Sequence, residues 1–131
     1  MRSIIHQSVL LPAPASLLFD MYVDASRHAA FTGHPVTIGE ESGSEFRAFD
    51  GMLSGTILKI VRPRLIVQSW RSLNFNSEDP DSTLILSFEE RGEEGKIDLV
   101  HLDVPEGDYA GVTDGWEKFY WGPWREYLNS Q

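Results

Sequence analysis

The chain has 131 residues, with 11 basic and 20 acidic side chains that give a net charge of −9. This length suits one domain over residues 1–131, whose core needs no disulfide or metal. The acidic balance repels phosphate backbones, so we expect no nucleic-acid binding. The absence of cysteine excludes disulfide frameworks, thiol nucleophiles and thiolate metal sites. No apolar run is long enough for a signal peptide or a membrane span, so we expect a cytoplasmic protein without membrane insertion.

Alternation of apolar and polar residues predicts seven β-strands in this sequence. Glycine or proline marks the turns between them, and Asp50-Gly51 is a strong hairpin dipeptide. Gly55 lies inside a strand and indicates a bulge or a close approach of two backbones. The predicted strands are residues 3–11, 36–38, 45–49, 52–61, 65–72, 82–90 and 96–104.

Two short helices are predicted after the first strand. Helical spacing begins at Ser16 and continues through Tyr22. A second helix begins after Asp24, its expected N-cap, and ends at Gly33. One strand, two helices and a series of antiparallel strands indicate an α+β fold when a long helix follows them.

That long helix is predicted from Asp108 to Leu128. Its apolar residues recur every three or four positions, so one side is continuously aromatic and must be covered, most simply by the concave face of the sheet. Asp108 is the expected N-cap, and Pro123, which has no amide N–H, is expected to kink the helix. The apolar positions are Tyr109, Val112, Trp116, Phe119, Tyr120, Pro123, Trp124 and Tyr127.

A family resemblance is spread over nearly the whole chain. It is carried in order by residues 43–57 with Asp50-Gly51, by 65–71, by 82–90, by His101 with Val104-Pro105, and by 115–128. These stretches resemble the SRPBCC or START-like (Bet v 1-like) superfamily, and within it the C-terminal domain of the activator of the heat-shock protein 90 ATPase. The resemblance implies a helix-grip fold, in which a curved antiparallel sheet of six to seven strands grips the last helix over a hydrophobic cavity. Superfamily members carry lipids, plant hormones or polyketides, and some cyclise or hydrate their ligands, so no single reaction is implied.

Aromatic side chains are the candidate lining of this cavity, because large rings supply contact area for a flat or acyl ligand. The alternative is that the same rings simply fill the core. In both cases Trp116, Phe119 and Tyr120 are expected to be largely buried against the sheet. The candidates are Trp116, Phe119 and Tyr120 from the helix and Phe46, Trp70 and Phe88 from the strands.

Histidine and arginine are the other groups considered. His28 and His34 are six residues apart, on different helical faces, and match no ligand pattern, so we interpret them as surface or loop residues. His101 shares a strand face with the apolar Ile97 and Leu99; it is a structural histidine or a general base at the cavity entrance. Alternation places Arg71 opposite Trp70, and therefore facing outward.

Three function classes follow, in this order: binding of a small hydrophobic or amphipathic ligand, a cyclase or hydratase type of enzyme using the same cavity, and an interaction module for a chaperone or another copy of the chain. The first needs apolar walls, the second a buried ionisable group at the ligand, and the third an exposed apolar patch. We expect no metal and no cofactor. No catalytic motif is recognised in the sequence.

Overall fold

The computed structural model describes residues 2–131, and in them one antiparallel sheet carries all the strands. The strand order is β1-β7-β6-β5-β4-β3-β2. Strands β2 to β7 follow one another as neighbours, whereas β1 pairs with β7, with Ile5 opposite His101. The predicted set of strands is confirmed: β1 (Arg2–Leu11), β2 (Val36–Thr37), β3 (Glu45–Ala48), β4 (Leu53–Val61), β5 (Leu65–Ser72), β6 (Ser82–Arg91) and β7 (Glu94–Pro105).

Buried and more exposed residues alternate along β5, β6 and β7, so every second side chain of these strands packs in the core. Arg71, beside the inward Trp70, points away from the core as predicted. Its guanidinium donates to the backbone carbonyls of Asp79 at 2.7 Å and Asn76 at 2.8 Å, which fixes the loop after β5. The inward residues of these strands include Ile66, Gln68, Trp70, Leu84, Leu86, Phe88, Ile97, Leu99 and His101.

The turn of the β3–β4 hairpin lies at Asp50-Gly51, where the sequence predicts it. Phe49, Asp50 and Gly51 all have positive φ, at 54°, 57° and 84°, a tight reversal that asparagine, aspartate and glycine tolerate best. Gly55 marks a close approach of two strands, because a Cβ there would lie 1.9 Å from the carbonyl oxygen of Ser69. That prediction is confirmed.

Two short helices, α1 (Ala15–Val23) and α2 (Ala25–Thr32), follow β1. The carboxylate of Asp24 accepts a hydrogen bond from the backbone N–H of Arg27 at 2.9 Å, and Gly33 ends α2 with φ 80°. Both capping predictions are confirmed. The first N–H of α1, on Ala15, is instead capped from β6 by the carboxylate of Glu90 at 2.8 Å.

The C-terminal helix is irregular in a different place from the one predicted. After a 3₁₀ turn (Glu106–Asp108) it consists of α3 (Tyr109–Gly115), a π-helical segment (Trp116–Trp121) and α4 (Gly122–Asn129). The irregularity therefore lies one turn before Pro123. At the end of the π-helical segment the N–H of Gly122 donates a hydrogen bond to the carbonyl oxygen of Glu117. A Cβ on residue 122 would lie 2.9 Å from that oxygen. The π-helical geometry ahead of Pro123 therefore suits a residue that has no N–H and cannot donate the helical hydrogen bond.

The π-helical segment also changes which rings are buried. Trp116 and Tyr120 are each 3% exposed, as predicted, but Phe119 is 45% exposed, which corrects that expectation. Because a π turn brings residue i+5 back beside residue i, Trp121 lies next to Trp116 and is 4% exposed. The Trp116 and Trp121 rings stack with centroids 5.6 Å apart.

No helix in residues 2–131 has the combined length and apolarity that crossing a bilayer demands.

Candidate functional site

A cavity of about 480 Å³ lies between the C-terminal helix and the concave face of the sheet. One wall is the first half of that helix. The opposite wall is the β3–β4 hairpin and the end of β5. The lining residues are His34, Phe49, Met52, Leu53, Trp70, Ser72, Asn74, Asp108, Gly111, Val112, Gly115, Trp116, Phe119 and Tyr120.

The helical wall is set by spacing. Its lining positions 108, 111, 112, 115, 116, 119 and 120 recur every three or four residues, so they share one side of the helix. Two of them are glycines. A Cβ on Gly111 would meet no atom within 4 Å, and one on Gly115 would be 3.6 Å from the Phe119 ring. The missing side chains therefore leave room along this wall.

Five aromatic rings line the cavity and contact one another. The ring centroids of Trp70 and Trp116 lie 6.2 Å apart, and those of Trp116 and Tyr120 lie 4.9 Å apart. Phe49 extends the wall, with its centroid 5.9 Å from Tyr120 and 5.5 Å from Phe119. The rings thus form a continuous apolar surface from Trp70 on β5 to Phe119 at the exposed edge of the cavity.

Few polar groups face this surface. Asp108 is half-buried and makes no capping hydrogen bond, contrary to the N-cap prediction. Asp108 is the last residue of the 3₁₀ turn that precedes α3. The Asp108 backbone is therefore already helical (φ −106°, ψ −1°) and not in the extended conformation that an N-cap needs. Within residues 2–131 the buried indole N–H of Trp70 also has no acceptor.

A buried histidine supports the cavity wall from behind. His28 is fully buried, so the prediction of a surface residue is wrong. Its Nδ1 donates to the carbonyl of Tyr22 at 2.8 Å, and its Nε2 accepts from the Tyr120 hydroxyl at 2.9 Å. Burial lowers the pKa of His28 to about 4 and raises that of Tyr120 above its usual value. The imidazole is therefore neutral, and the Tyr120 proton is committed to it.

His101 holds a second buried network. Its Nε2 donates to the Ser82 hydroxyl at 2.8 Å, and that hydroxyl donates to the Trp70 carbonyl at 2.7 Å. The Nδ1 accepts from the indole N–H of Trp116 at 3.4 Å. Burial lowers the pKa of His101 to about 3. This neutral ring holds both Trp70 and Trp116 in place. The sequence leaves open a structural histidine or a general base, and these contacts are those of a structural histidine.

The cavity brings together only some of the candidate residues. Trp70, Trp116, Phe119 and Tyr120 line it, with Phe119 at the exposed edge. The other three lie in the closed core. Phe46 packs against the ring of His28, Phe88 contacts Phe19 of α1 edge-on at 5.4 Å, and His101 is 0% exposed and not at an entrance.

For Phe46 and Phe88 the reason is that α1 and α2 cover one end of the concave face, and inward residues there cannot reach the cavity. His101 instead lies behind the rings of Trp70 and Trp116, with centroids 4.6 Å and 5.9 Å away. Of the fourteen lining residues, ten were not among the candidates from the sequence. The helical stripe extends backward from Trp116 through Gly115, Val112 and Gly111 to Asp108, a signal that was present in the spacing. The hairpin residues Phe49, Met52 and Leu53 carry no such signal.

Among residues 2–131 no group of three or more His, Asp or Glu side chains is placed to hold a metal ion.

A curved seven-stranded antiparallel sheet that holds a long C-terminal helix over a cavity defines a helix-grip protein. Residues 12–128 match the family model described as "Activator of Hsp90 ATPase homolog 1-like protein". The chain belongs to this family, so the resemblance read from the sequence is confirmed.

Two relatives and one solved structure are similar to this chain. The chain is 25% identical over 101 residues to an activator of 90 kDa heat shock protein ATPase homolog of Dictyostelium discoideum, covering 76% of this chain and 26% of that protein. It is 25% identical over 114 residues to homolog 2 of Mus musculus, covering 87% and 34%. The crystal structure of an Hsp90 activator from Plasmodium falciparum superposes with a TM-score of 0.87 at 21% identity, over 96% of both chains. The chain spans about a third or less of the two curated relatives.

Proposed function

We propose that this protein binds a small, largely apolar ligand in the cavity between the C-terminal helix and the sheet. The observation that carries the proposal is the cavity itself: about 480 Å³ in volume, within the range of small-molecule sites. Its five rings supply broad apolar contact. Its wall is also rigid, because the His28 and His101 networks hold Tyr120, Trp70 and Trp116 in place, and a pre-formed site loses less entropy on binding.

The buried polar groups favour binding over catalysis. Neither His28 nor His101 lines the cavity, and the Tyr120 hydroxyl is already bonded to His28. A general acid or base must reach the reacting atom within hydrogen-bond distance. The cyclase or hydratase alternative therefore rests on the two titratable side chains of the lining, His34 and Asp108, and within residues 2–131 no hydrogen bond links these two side chains.

Native mass spectrometry of freshly purified protein is the first test, since a co-purified molecule would reveal the ligand. An environment-sensitive apolar dye should also bind the folded protein in a one-to-one ratio. Gly111→Leu should weaken dye binding about tenfold or more, because the side chain enters open space at the cavity mouth. Gly107→Leu is the matched control: residue 107 is exposed, also has no atom within 4 Å of a Cβ, and does not line the cavity. Dye binding that appears only near the melting transition, or that both variants weaken equally, would overturn the proposal.

A second candidate function is contact with an Hsp90-type chaperone. The family and the superposition on the Plasmodium Hsp90 activator over 96% of both chains support it. The test adds the purified chain to Hsp90 in molar excess and measures the steady-state ATPase rate together with direct binding. A raised rate supports an activator. Binding without a raised rate supports contact alone, and the absence of both removes this candidate.

A further inference from the structure

The charge of the cavity lining distinguishes among amphipathic ligands. The lining includes one acidic residue, Asp108, one histidine, His34, and no lysine or arginine. The chain as a whole carries a net charge of −9. An anionic head group entering this space would lose water and meet a like charge with no lysine or arginine to pair with, which is costly in a partly buried site.

Asp108 is itself available for a ligand. It is half-buried, it does not cap α3, and its carboxylate has no hydrogen bond or ion pair within residues 2–131. A carboxylate that is partly removed from water gains more from a nearby cation than an exposed one does.

Neither Arg71 nor Lys118 lines the cavity, and the one imidazole of the lining, that of His34, has its ring centroid 5.0 Å from that of Phe49. Arg71, next to Trp70, donates to the Asp79 and Asn76 carbonyls on the outer side of the sheet. Lys118 is exposed and holds its ammonium 5.3 Å from the centroid of Phe119, outside the lining. The indole N–H of Trp70 is uncharged and serves a hydroxyl or ether oxygen as well as a carboxylate.

The rings add a positive preference. Phe49, Trp70, Trp116, Phe119 and Tyr120 surround the same space, and the negative faces of aromatic rings attract alkylammonium groups, most strongly where water is excluded. Rings and a carboxylate around one cavity form the combination that recognises a cationic amine with an apolar body.

From this combination we infer that the cavity selects a cationic amphiphile, an aromatic or aliphatic body that bears an alkylated ammonium group held at Asp108, over anionic amphiphiles such as fatty acids. The inference rests on the proposed ligand-binding function and specifies the chemical class of the ligand.

The test is a matched series in which one aromatic body carries three head groups: 1-naphthylmethyl-trimethylammonium, 1-naphthylmethanol and 1-naphthylacetate. Affinities are measured by isothermal titration calorimetry with the full chain in ~0.15 M salt, where charges beyond about 8 Å are screened. We expect the ammonium compound to bind about tenfold tighter than the carboxylate, with the alcohol between them.

Two variants with the same net charge locate the effect. Asp108→Asn should remove most of the difference between ammonium and carboxylate. Asp114→Asn, at an exposed acidic position on the same helix that does not line the cavity, should retain it. A carboxylate that binds as tightly as the ammonium compound, or two variants that behave alike, overturns the charge inference while ligand binding stands. If none of the three compounds binds, the proposed function fails and the inference fails with it.

Discussion

Two buried histidines make the folded state sensitive to acid at a pH where most carboxylates are still ionised. Burial lowers the pKa of His28 to about 4 and that of His101 to about 3, from an ordinary value of 6.5. Between pH 6.5 and 4 the unfolded chain therefore binds protons that the folded chain does not. Lowering the pH favours the unfolded state throughout this window, and stability is fully regained above pH 6.5.

The size of the effect follows from those values. Each histidine changes the free energy of unfolding by up to about 1.4 kcal/mol per pH unit, and the two together remove about 4 kcal/mol between pH 7.5 and pH 5. This is a large part of the ~5–15 kcal/mol that stabilises most domains. The measurement is urea unfolding followed by tryptophan fluorescence at half-unit pH steps, with the m-value checked for constancy.

The variant that isolates one network is His101→Gln, since the amide keeps a donor for Ser82 and an acceptor for the Trp116 indole. It should reduce the pH slope between 5 and 6 to about 1.4 kcal/mol per unit. His6→Gln, at an exposed position, is the control for the substitution itself, and the loss of slope is taken as the difference between the two variants. An unfolding midpoint that is the same at pH 7.5 and pH 5 would refute the argument, as would a control that alters the slope as much as His101→Gln does.

Three further changes test the packing. Trp116→Ala should lower the free energy of unfolding by about 3–5 kcal/mol in a urea melt, because the ring is 3% exposed in the core; a loss below about 1 kcal/mol would show that the sheet does not grip the helix. Gln7→Ala removes the acceptor that the Trp121 indole N–H reaches at 2.9 Å and the donor to the Thr113 carbonyl at 3.0 Å and should cost about 1–3 kcal/mol in a urea melt; a loss below about 0.5 kcal/mol would contradict a stabilising role for these bonds. Gly55→Ala should cost about 2 kcal/mol or more by calorimetry, because its methyl group collides with the Ser69 carbonyl.

The strands were predictable because each pattern is local. Trp70 and Arg71 point to opposite sides of β5, as alternation requires, and Gly55 lies where two backbones meet. The capping of α2 by Asp24 is equally local, since donor and acceptor are three residues apart. Such features depend on neighbours in sequence, and one chain suffices to read them.

The candidate site was harder to predict because it depends on contacts between distant segments. His28 is followed by Ala29, Ala30 and Phe31, but its burial depends on Tyr120, a partner 92 residues away. Phe119 fits the helical stripe, yet in the π-helical segment it is 45% exposed and Trp121 is buried. Phe88 has the right inward direction, but α1 covers that part of the sheet, and no pattern within β6 contains this information.

The two glycines in the helical wall have a consequence for how this protein could diverge. Glycine inside a helix costs about 1 kcal/mol relative to alanine, so Gly111 and Gly115 weaken the element that the sheet grips while enlarging the space beside it. The networks that secure the fold, around His28 and His101, lie behind the rings and do not involve these positions. A single base change at codon 111 would therefore alter cavity size and helix stability together and leave the core intact, so that duplicated copies of the gene could acquire new ligand preferences without first losing the fold.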